Sequence, residues 1–478
     1  MNNQQITAED ILADAASLRW ELGETIHESL MESIFQEAAS IAGEVVSFSE
    51  KKKKNWDQTL DWLFTSKLTG FPIMFGLLAG VLWLTISGAN VPSSMLAALL
   101  LDTVHPWLKA VAGQIGMPWW MDGLLIDGMY LSTAWVVSVM LPPMAIFFPL
   151  FTLFEDFGYL PRVAFNMDHL FKKVGAHGRQ ALTMSMGYGC NAAGVVSCRI
   201  IDSPRERLIA IITNNFSVCN GRWPTLILIS SIFVGAAVSS PFLGSIVSSA
   251  TVMAVMLLGI LFTFAVSWLL SNTMLRGEAS IYSMELPPYR PPRILQTLYT
   301  SLIDRTIYVL WRAIVFALPA GAVIWLLCNI SVADQSLAVH LIRMLNPFGL
   351  LIGLNGVILL AYIIAIPANE IVIPTILMLT VLTTGMTGVG EGAGVMFELE
   401  SEADTATLLQ NGGWTLLTAV NLLLFCLLHN PCSTAIYTIW KETGSVKWTA
   451  VAALLPLGIG LFVCFFVTQI WRLITTAS

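Results

Sequence analysis

Long apolar runs alternate with short polar segments along most of the chain. Uncharged stretches cover residues 71–88, 128–154, 223–275 and 448–471. A helix that crosses a bilayer needs about 20 apolar residues. The pattern therefore predicts several membrane-spanning helices. The longest stretch is predicted to hold two of them, with a turn near Pro241.

Composition supports a membrane protein and excludes a soluble domain. The 478 residues are 56% hydrophobic and 12% charged, with a mean hydropathy of +0.73, whereas soluble domains carry about 25% charged residues. All seven cysteines lie in or beside apolar segments without zinc-finger spacing. They predict free thiols, which commonly pack as small hydrophobic groups, rather than a disulfide framework.

The distribution of basic residues predicts a cytoplasmic N-terminus. Lysines at 51–54 precede the first apolar run, and following the runs places every Lys and Arg inside except Lys109, Arg343 and Arg472. This arrangement follows the positive-inside rule. The acidic segment 391–404 is then predicted on the outer face.

Residues 1–50 are acidic and differ from the rest of the chain. Their apolar residues recur at helical spacing (Ile11, Ala15, Leu18, Leu22, Ile26, Leu30 and Ile34). The pattern predicts a cytoplasmic amphipathic helix. Two roles stay open for it, a cap packed on the membrane part and a docking platform for a cytoplasmic partner.

The first broken segment is "GYGCNAAG", residues 187–194, which places Cys190 among small residues. It lies between Arg179 and Arg199, so two inside charges predict a segment that enters the membrane and returns. Irregular backbone at that depth needs protein or water to satisfy its amides. The next run, 208–221, is short for a span and contains several Asn residues.

Two further broken segments follow in the second half. Glu370 lies between Pro367 and Pro374 in an otherwise uncharged run, and an acid inside a membrane costs roughly 2.5–3.5 kcal/mol. His429 and Cys432 flank Pro431 in "LHNPCSTA". Each of these residues has a structural alternative, a hydrogen-bonding anchor for Glu370 and helix packing for the other two.

The residue types in these segments favour a transition-metal cation. Thiols and thioethers select softer metals, and imidazole suits iron and zinc. Broken helices in two halves are typical of a transporter with its binding site near the bilayer midplane. The predicted fold is all-α, a polytopic transmembrane helical bundle with two gate-like repeats and broken or re-entrant helices. An inverted relation between the repeats stays open.

Several strings resemble the membrane domain of the FeoB-type ferrous iron transporters of bacteria, over about residues 15–475. They occur in the family's order: "FEDFGYLPRVAFNMDHLFKKVGAHGR" (154–179), "GYGCNAAG" (187–194), "NNFSVCNGRWP" (214–224), "MELPPYRPP" (284–292), "NPFGL" (346–350), "ANE" (368–370), "PCSTA" (431–435) and "KETGS" (441–445). The resemblance implies import of Fe(II) across a bacterial cytoplasmic membrane. It implies no cofactor besides the transported ion.

The resemblance also implies roles for individual residues. Cys190 and Cys432 match the family's gate cysteines, and Glu370 matches the acid of the second gate. The predicted metal ligands are Cys190, Cys219, Asn369, Glu370, His429 and Cys432. The predicted gate and structural residues are Glu155, Asp156, Tyr159, Gly187, Gly189, Asn191, Gly194, Arg222 and Pro431.

Three departures from the family pattern affect these expectations. A Pro that the family has near Ala193 is missing, so glycines are expected to break the helix there. Asn369 stands where the family has Lys, which leaves Glu370 without a neighbouring cation. The 478 residues contain no Gly-Lys pair, and a P-loop needs one. We therefore expect no GTPase activity in this chain, and a separate GTPase subunit as its partner.

The predicted protein is thus a transporter subunit and not an enzyme. Its expected domains are a cytoplasmic helical segment (1–67), a first transmembrane half (68–275), a cytoplasmic linker (276–312) and a second half (313–478). The resemblance adds a small FeoA-like accessory protein, and homo-oligomers stay open. Rival hypotheses are transport of another metal or a nucleoside, and a non-transporting regulatory paralogue.

Overall fold

The structure is a computed structural model that describes residues 26–45, 56–66, 68–238, 240–276, 289, 293–332, 334–386, 394–399 and 401–477. Within these ranges, six helical stretches are long and apolar enough to cross a membrane, although one of them, Leu416–Thr443, contains a break; a bent pair, Leu337–Leu351 with Gly356–Ile364, is a seventh candidate. The lysines at 51–54, linker residues 277–288 and 290–292, part of the acidic outer segment and the apolar positions from Ile11 to Leu22 lie outside the described residues.

The helices are numbered in chain order. They are α1 (Ile26–Val45), α2 (Trp56–Thr65), α3 (Gly70–Ile115), α4 (Trp119–Asp156), α5 (Tyr159–Lys173), α6 (Gln180–Gly189), α7 (Asn191–Ser197), α8 (Pro204–Thr213), α9 (Trp223–Ile229), α10 (Pro241–Asn272), α11 (Ile294–Asn329), α12 (Leu337–Leu351), α13 (Gly356–Ile364), α14 (Val372–Thr384), α15 (Glu402–Asn411), α16 (Leu416–Leu428), α17 (Ser433–Thr443) and α18 (Val446–Ala477). A two-residue hairpin, β1 (Ser331–Val332) with β2 (Gln335–Ser336), interrupts the helical pattern.

The long apolar run 223–275 folds differently from its prediction. The predicted turn near Pro241 is confirmed, because α10 begins at Pro241. The part before the turn, however, is only α9 and a wide π-helical turn, Ser230–Gly235. That piece is too short to cross a bilayer. The run therefore provides one full span and one half-length helix, and the prediction of two spans was wrong.

The α4 and α11 helices touch through their backbones. A Cβ atom added to Gly321 would lie 1.9 Å from Ser132 Oγ and 2.1 Å from the carbonyl oxygen of Gly128. Ser132 also donates a hydrogen bond to the Ala317 carbonyl, at 3.3 Å. Small residues at such crossings let two helices in a membrane approach closely.

A buried ionic network joins α3 to α4 near the turn that connects them. Lys109 Nζ lies 2.7 Å from a carboxylate oxygen of Asp122 and 2.7 Å from one of Asp127. His105 Nε2 lies 3.0 Å from the other oxygen of Asp127. Lys109 was one of the exceptions to the positive-inside pattern. Its positive charge is neutralised by Asp122 and Asp127.

The two described N-terminal helices behave differently. The α2 helix docks on α5, since Arg162 pairs with Asp61 at 3.0 Å and Asn166 donates to the Phe64 carbonyl at 2.6 Å. Every described side chain of α1 is exposed, including Ile34 and Ile41. For these described positions of α1, the structure disfavours the packed-cap role.

The close contact at Gly321 gives a stability prediction. We expect Gly321→Ala to lower the free energy of unfolding by about 1–3 kcal/mol, because overpacking a tight contact forces the helices apart. Thermal unfolding of the detergent-solubilised protein measures the change. Gly458→Ala is the matched control, because a Cβ at Gly458 meets nothing within 4 Å. Equal midpoints for both variants would contradict the tight α4–α11 crossing.

Candidate functional site

Four breaks in the helices meet in the interior of the molecule. They separate α6 from α7 at Cys190, α8 from α9 at residues 214–222, α13 from α14 at 365–371, and α16 from α17 at 429–432. These are the segments that the sequence analysis identified as broken. Each break exposes backbone groups that helical hydrogen bonds would otherwise satisfy.

The breaks of the two halves have matching backbone angles. Cys190 has φ −151° and ψ 122°, and Ala368 has φ −152° and ψ 123°. Cys219 has φ −76° and ψ 165°, and Cys432 has φ −64° and ψ 160°. In each half, one break therefore contains a residue with a fully extended backbone, Cys190 or Ala368. The other break contains a cysteine, Cys219 or Cys432, immediately before the next helical turn.

The first broken segment returns to the side from which it enters. Arg179, just before α6, donates a hydrogen bond to the Ile200 carbonyl and pairs with Asp202 at 3.0 Å, both just after α7. The two ends of the segment therefore lie together.

Burial lowers the pKa of His177 in the loop before α6. Its ring nitrogen Nδ1 accepts a hydrogen bond from the backbone N–H of Arg179 at 3.0 Å.

A small cavity lies where the breaks meet. Its lining residues are Met140, Met144, Gly189, Cys190, Asn191, Cys219, Asn220, Gly221, Val309, Ala313, Pro367, Ala368, Asn369, Glu370, Cys432 and Thr434. A water-sized sphere can occupy about 30 Å³ of it. One water needs roughly 10–15 Å³ on that measure. The cavity thus accommodates one or two water molecules, or a largely dehydrated ion.

Three thiols and one carboxylate face each other across this cavity. Cys190, Cys219, Cys432 and Glu370 are all close enough to interact electrostatically in every pairing. Even so, no three His, Cys, Asp or Glu side chains of the described residues converge closely enough to hold a metal ion. Among the described residues the site is therefore a lined cavity rather than a preformed coordination shell.

Glu370 and Gly221 are in direct contact. A Cβ atom at Gly221 would lie 2.3 Å from Glu370 Oε1. The carboxylate thus packs against the backbone of the second break, where only a glycine leaves room. This contact brings the acid of the second half to the cysteine-containing break of the first.

Asn369 lines the cavity and connects Cys219 with His429 behind it. The Asn369 amide nitrogen lies 3.7 Å from Cys219 Sγ, and its side-chain oxygen lies 3.2 Å from His429 Nε2. His429 Nδ1 lies 2.9 Å from the carbonyl oxygen of Cys426. Oxygen atoms thus face both ring nitrogens of His429, and the ring is not among the groups that line the cavity. Its role as a ligand stays a prediction.

Arg222 connects the two halves from a fully buried position. Its guanidinium donates to the carbonyl of Asn215 at 2.9 Å, to the carbonyl of Leu427 at 3.0 Å and to the Asn215 side-chain oxygen at 3.0 Å. The carbonyls of His429 and Asn430 lie 3.4 Å away. Arg222 thus satisfies carbonyls that the break before Pro431 sets free, at the C-terminal end of α16, where a cation is favoured.

Other amides join the remaining breaks. Asn214 donates to the Asn191 carbonyl at 2.9 Å, and Asn215 donates to the His429 carbonyl at 2.7 Å. The backbone N–H of Ser433 donates to the Ile366 carbonyl at 2.8 Å. With its amide nitrogen oriented toward them, Asn191 donates to the Gly187 and Ser217 carbonyls. All four breaks are therefore linked by hydrogen bonds.

The glycines near Cys190 have a different role from the expected one. The helix breaks at Cys190 itself, while Gly187 and Gly189 lie in α6 and Gly194 lies in α7. A Cβ at Gly187 or Gly194 would lie 2.7 or 2.5 Å from Asn214 Oδ1, and one at Gly189 would lie 2.1 Å from Phe147. These glycines permit close packing around the break. The expectation that they break the helix was wrong.

Glu155, Asp156 and Tyr159 are not among the residues that line the cavity. Asp156 ends α4 and accepts a hydrogen bond from Thr297 of α11 at 2.6 Å. Tyr159 is buried and packs edge-on against Phe64, with ring centroids 5.2 Å apart. Asp156 and Tyr159 thus connect helices at a distance from the cavity, and Glu155 lies beside them at the end of α4.

The sequence analysis missed several residues of the site. Asn220 and Thr434 line the cavity beside Cys219 and Cys432, and Met140 and Met144 contribute thioethers from α4. Asn220 and Thr434 could have been predicted from the sequence, because they lie next to Cys219 and close to Cys432. Nothing local distinguishes the two methionines, because the surrounding stretch 128–154 is uncharged and mostly apolar.

Two family models match parts of this chain. Residues 137–233 match the family model "Gate: Nucleoside recognition", and residues 252–304 match "Ferrous iron transport protein B C terminus". The first matched range contains the breaks at Cys190 and 214–222. No solved structure matches the chain.

The chain is also similar to curated transporters over most of its length. It is 28% identical to "Fe(2+) transporter FeoB" of Staphylococcus aureus (strain MSSA476) over 470 residues, which are 97% of this chain and 65% of the relative. The like-named protein of Synechocystis is 26% identical over 87% of this chain and 63% of its own length. That of Leptospira biflexa is 25% identical, with 94% and 64% covered. The chain thus spans less than two thirds of these relatives.

The contact between Gly221 and Glu370 gives a prediction for the site. We expect Gly221→Ala to displace the Glu370 carboxylate and to lower the free energy of unfolding by about 1–3 kcal/mol, because overpacking a close contact forces its neighbours apart. Thermal unfolding of the detergent-solubilised protein measures the change, and Gly458→Ala, with open space around its Cβ, serves again as the control. A midpoint for Gly221→Ala equal to that of the control would contradict the close contact at this point.

Proposed function

We propose that this chain is the ion-conducting membrane part of a ferrous iron importer. The observation that carries the proposal is the cavity where four helix breaks meet, lined by Cys190, Cys219, Cys432 and Glu370. The similarity to proteins named Fe(2+) transporter supports the choice of ion.

The donor set favours a transition metal over alkaline-earth ions. Thiolate and thioether ligands select softer metals, whereas Mg²⁺ and Ca²⁺ prefer oxygen-only sites. Met140 and Met144 add two thioethers to the thiols. Carbonyl and amide oxygens at the breaks replace part of the hydration shell, as oxygen ligands do in channel filters.

The absence of a closed ligand cluster among the described residues suits conduction. An ion must bind well enough to enter a passage and weakly enough to leave it. A cavity of about 30 Å³ is too small for an ion with its full hydration shell, since one water alone needs roughly 10–15 Å³ on that measure. Fe²⁺ therefore exchanges water for sulfur and oxygen ligands one step at a time, as the breaks move apart.

An ion pair closes the passage on the side that carries the basic residues. Arg199 follows α7 and forms two hydrogen bonds, 2.8 and 2.7 Å long, with the carboxylate of Glu442 near the end of α17. The α7 and α17 helices pack together and begin beside Cys190 and Cys432. The Arg199–Glu442 pair thus holds together the two half-helices that follow the gate cysteines.

The two halves act as gate-like repeats in this mechanism. The matching angles at Cys190 and Ala368, and at Cys219 and Cys432, support one plan used twice. Such repeats typically place a substrate site at their interface near the midplane. Arg222 spans that interface and keeps the halves in register.

The energy source lies with a GTPase outside these 478 residues, which contain no Gly-Lys pair and hence no P-loop lysine. The exposed face of α1 and the linker are the surfaces it would use, together with a small FeoA-like protein. The basic residues support an N-terminus in the cytoplasm of a bacterial cell, with the chain in its cytoplasmic membrane.

A nucleoside substrate has less support, although one matching family model is described by nucleoside recognition. A nucleoside needs stacking aromatic rings and far more space than one or two water molecules. None of the residues lining the cavity is aromatic, and Trp223 lines a separate, smaller pocket. The geometry therefore favours an ion.

The cysteines provide the direct test of the proposed function. We expect Cys190→Ser and Cys432→Ser each to lower anaerobic Fe²⁺ uptake about tenfold or more, the loss that corresponds to about 1.4 kcal/mol of barrier. Cys328→Ala is the control, because Cys328 is buried in α11 away from the cavity. Uptake that is unchanged in both serine variants would refute the thiols as ligands. Uptake that is absent from the wild type even with a GTPase partner would refute the transport function.

The Arg199–Glu442 pair gives a separate prediction. We expect Arg199→Ala to raise Fe²⁺ uptake about two- to fivefold, because an exposed pair contributes roughly 0.2–1 kcal/mol to the closed state. The charge-reversed double variant, Arg199→Glu with Glu442→Arg, is expected to restore the wild-type rate. A double variant as active as the single one would show that the pair does not close the passage.

A further inference from the structure

A large apolar cleft lies away from the proposed passage, between α3, α5, α6 and α10. Its volume is about 490 Å³. Phe71 and Val81 of α3 mark its length, and Phe75, Leu257 and Leu261 at its margin are exposed. Because α3 and α10 are membrane-spanning candidates, the open side of the cleft faces the lipid.

The cleft is as deep as one leaflet of a bilayer. Phe71 and Val81 are ten residues apart on one helix, which corresponds to about 15 Å at 1.5 Å per residue. The hydrocarbon core of a bilayer is about 30 Å thick. Phe71 lies at the start of α3, the end that the basic residues place inside. The cleft therefore lies within the inner leaflet.

The lining of the cleft suits a hydrocarbon chain. Almost all of its lining side chains are apolar, and each methylene group of an acyl chain that is buried against them favours binding. An extended peptide would bring N–H and C=O groups that this lining cannot satisfy. The chemistry of the lining therefore favours an acyl chain over an extended peptide.

The inner end of the cleft carries positive charge. Leu170 and Phe171 line the cleft, and Lys172 and Lys173 follow them in the last turn of α5. Lys172 is paired with Asp168 at 3.0 Å, while Lys173 is exposed. Anionic lipids are concentrated in the inner leaflet and attract such basic residues.

We propose that this cleft is a binding site for an anionic phospholipid, with one acyl chain between α3 and α10 and the headgroup at Lys173. Ala181, Met184 and Tyr188 of α6 form one wall of the cleft. Tyr188 lies two residues before Cys190, so the bound chain packs against the helix that leads to the first break. The inference does not depend on which substrate the chain transports.

Photo-crosslinking tests the site in the full-length chain. The protein is reconstituted in vesicles of phosphatidylglycerol and phosphatidylcholine with a trace of phosphatidylglycerol that carries a diazirine on one acyl chain. After irradiation, labelled peptides are mapped by mass spectrometry. We expect the cleft segments of α6 and α10 to be labelled several-fold more strongly than the other lipid-facing helices. Labelling spread evenly over the lipid-facing helices would overturn the proposal.

Two variants and a control sharpen this test. Ala181→Trp fills the cleft, and Leu261→Trp blocks its open side from an exposed position that tolerates a large side chain. We expect each to lower cleft labelling several-fold. Leu454→Trp places the same ring on the exposed surface of α18 and is expected to have no effect. Unchanged labelling in a folded Leu261→Trp variant would overturn the site even if Ala181→Trp does not fold.

The headgroup is tested by competition. Unlabelled phosphatidylglycerol is expected to displace the probe several-fold better than phosphatidylcholine, and Lys173→Gln is expected to remove this preference. Lys447→Gln, at the start of α18, is the matched control. Equal competition by the two lipids in the wild type would overturn the anionic preference.

Discussion

The structure depends on one constraint, that backbone groups released by a helix break inside a membrane must find partners within the protein. Arg222 meets much of this demand, because its guanidinium reaches carbonyls on both sides of the interface between the halves. Its charge has carbonyl oxygens rather than a carboxylate as hydrogen-bond acceptors. Arginine suits this task because five fixed donors serve several acceptors at once.

Satisfying the breaks also positions the chemistry of the passage. The same turns that expose carbonyls turn Cys190, Cys219 and Cys432 toward one cavity, and the missing side chain of Gly221 admits Glu370. Asn369, which also lines the cavity, contacts Cys219 Sγ and His429, and thereby holds this arrangement in place. The cavity thus combines sulfur and oxygen groups with residues that position them.

Local sequence was a good guide to the breaks and a poor guide to the partners. Pro431 disfavours a continuous helix and marked one break correctly. The small residues around 190 marked the place of another break, although the glycines themselves lie inside α6 and α7. The role of the glycines depended on Asn214, which lies on another helix, and spacing does not show such a neighbour. His429 looked like a ligand beside Cys432, but its ring is held by the Cys426 carbonyl and Asn369.

Hydrophobicity and charge along the chain determined the membrane class, the turn before Pro241 and the four broken segments, because those features follow from local preference and solvent. Tertiary structure alone decided that the breaks meet, that Arg222 joins the two halves and that Arg199 pairs with Glu442. The reason is physical. Helix formation is local, whereas satisfying a buried polar group requires a partner from distant sequence, and only the packed bundle selects it.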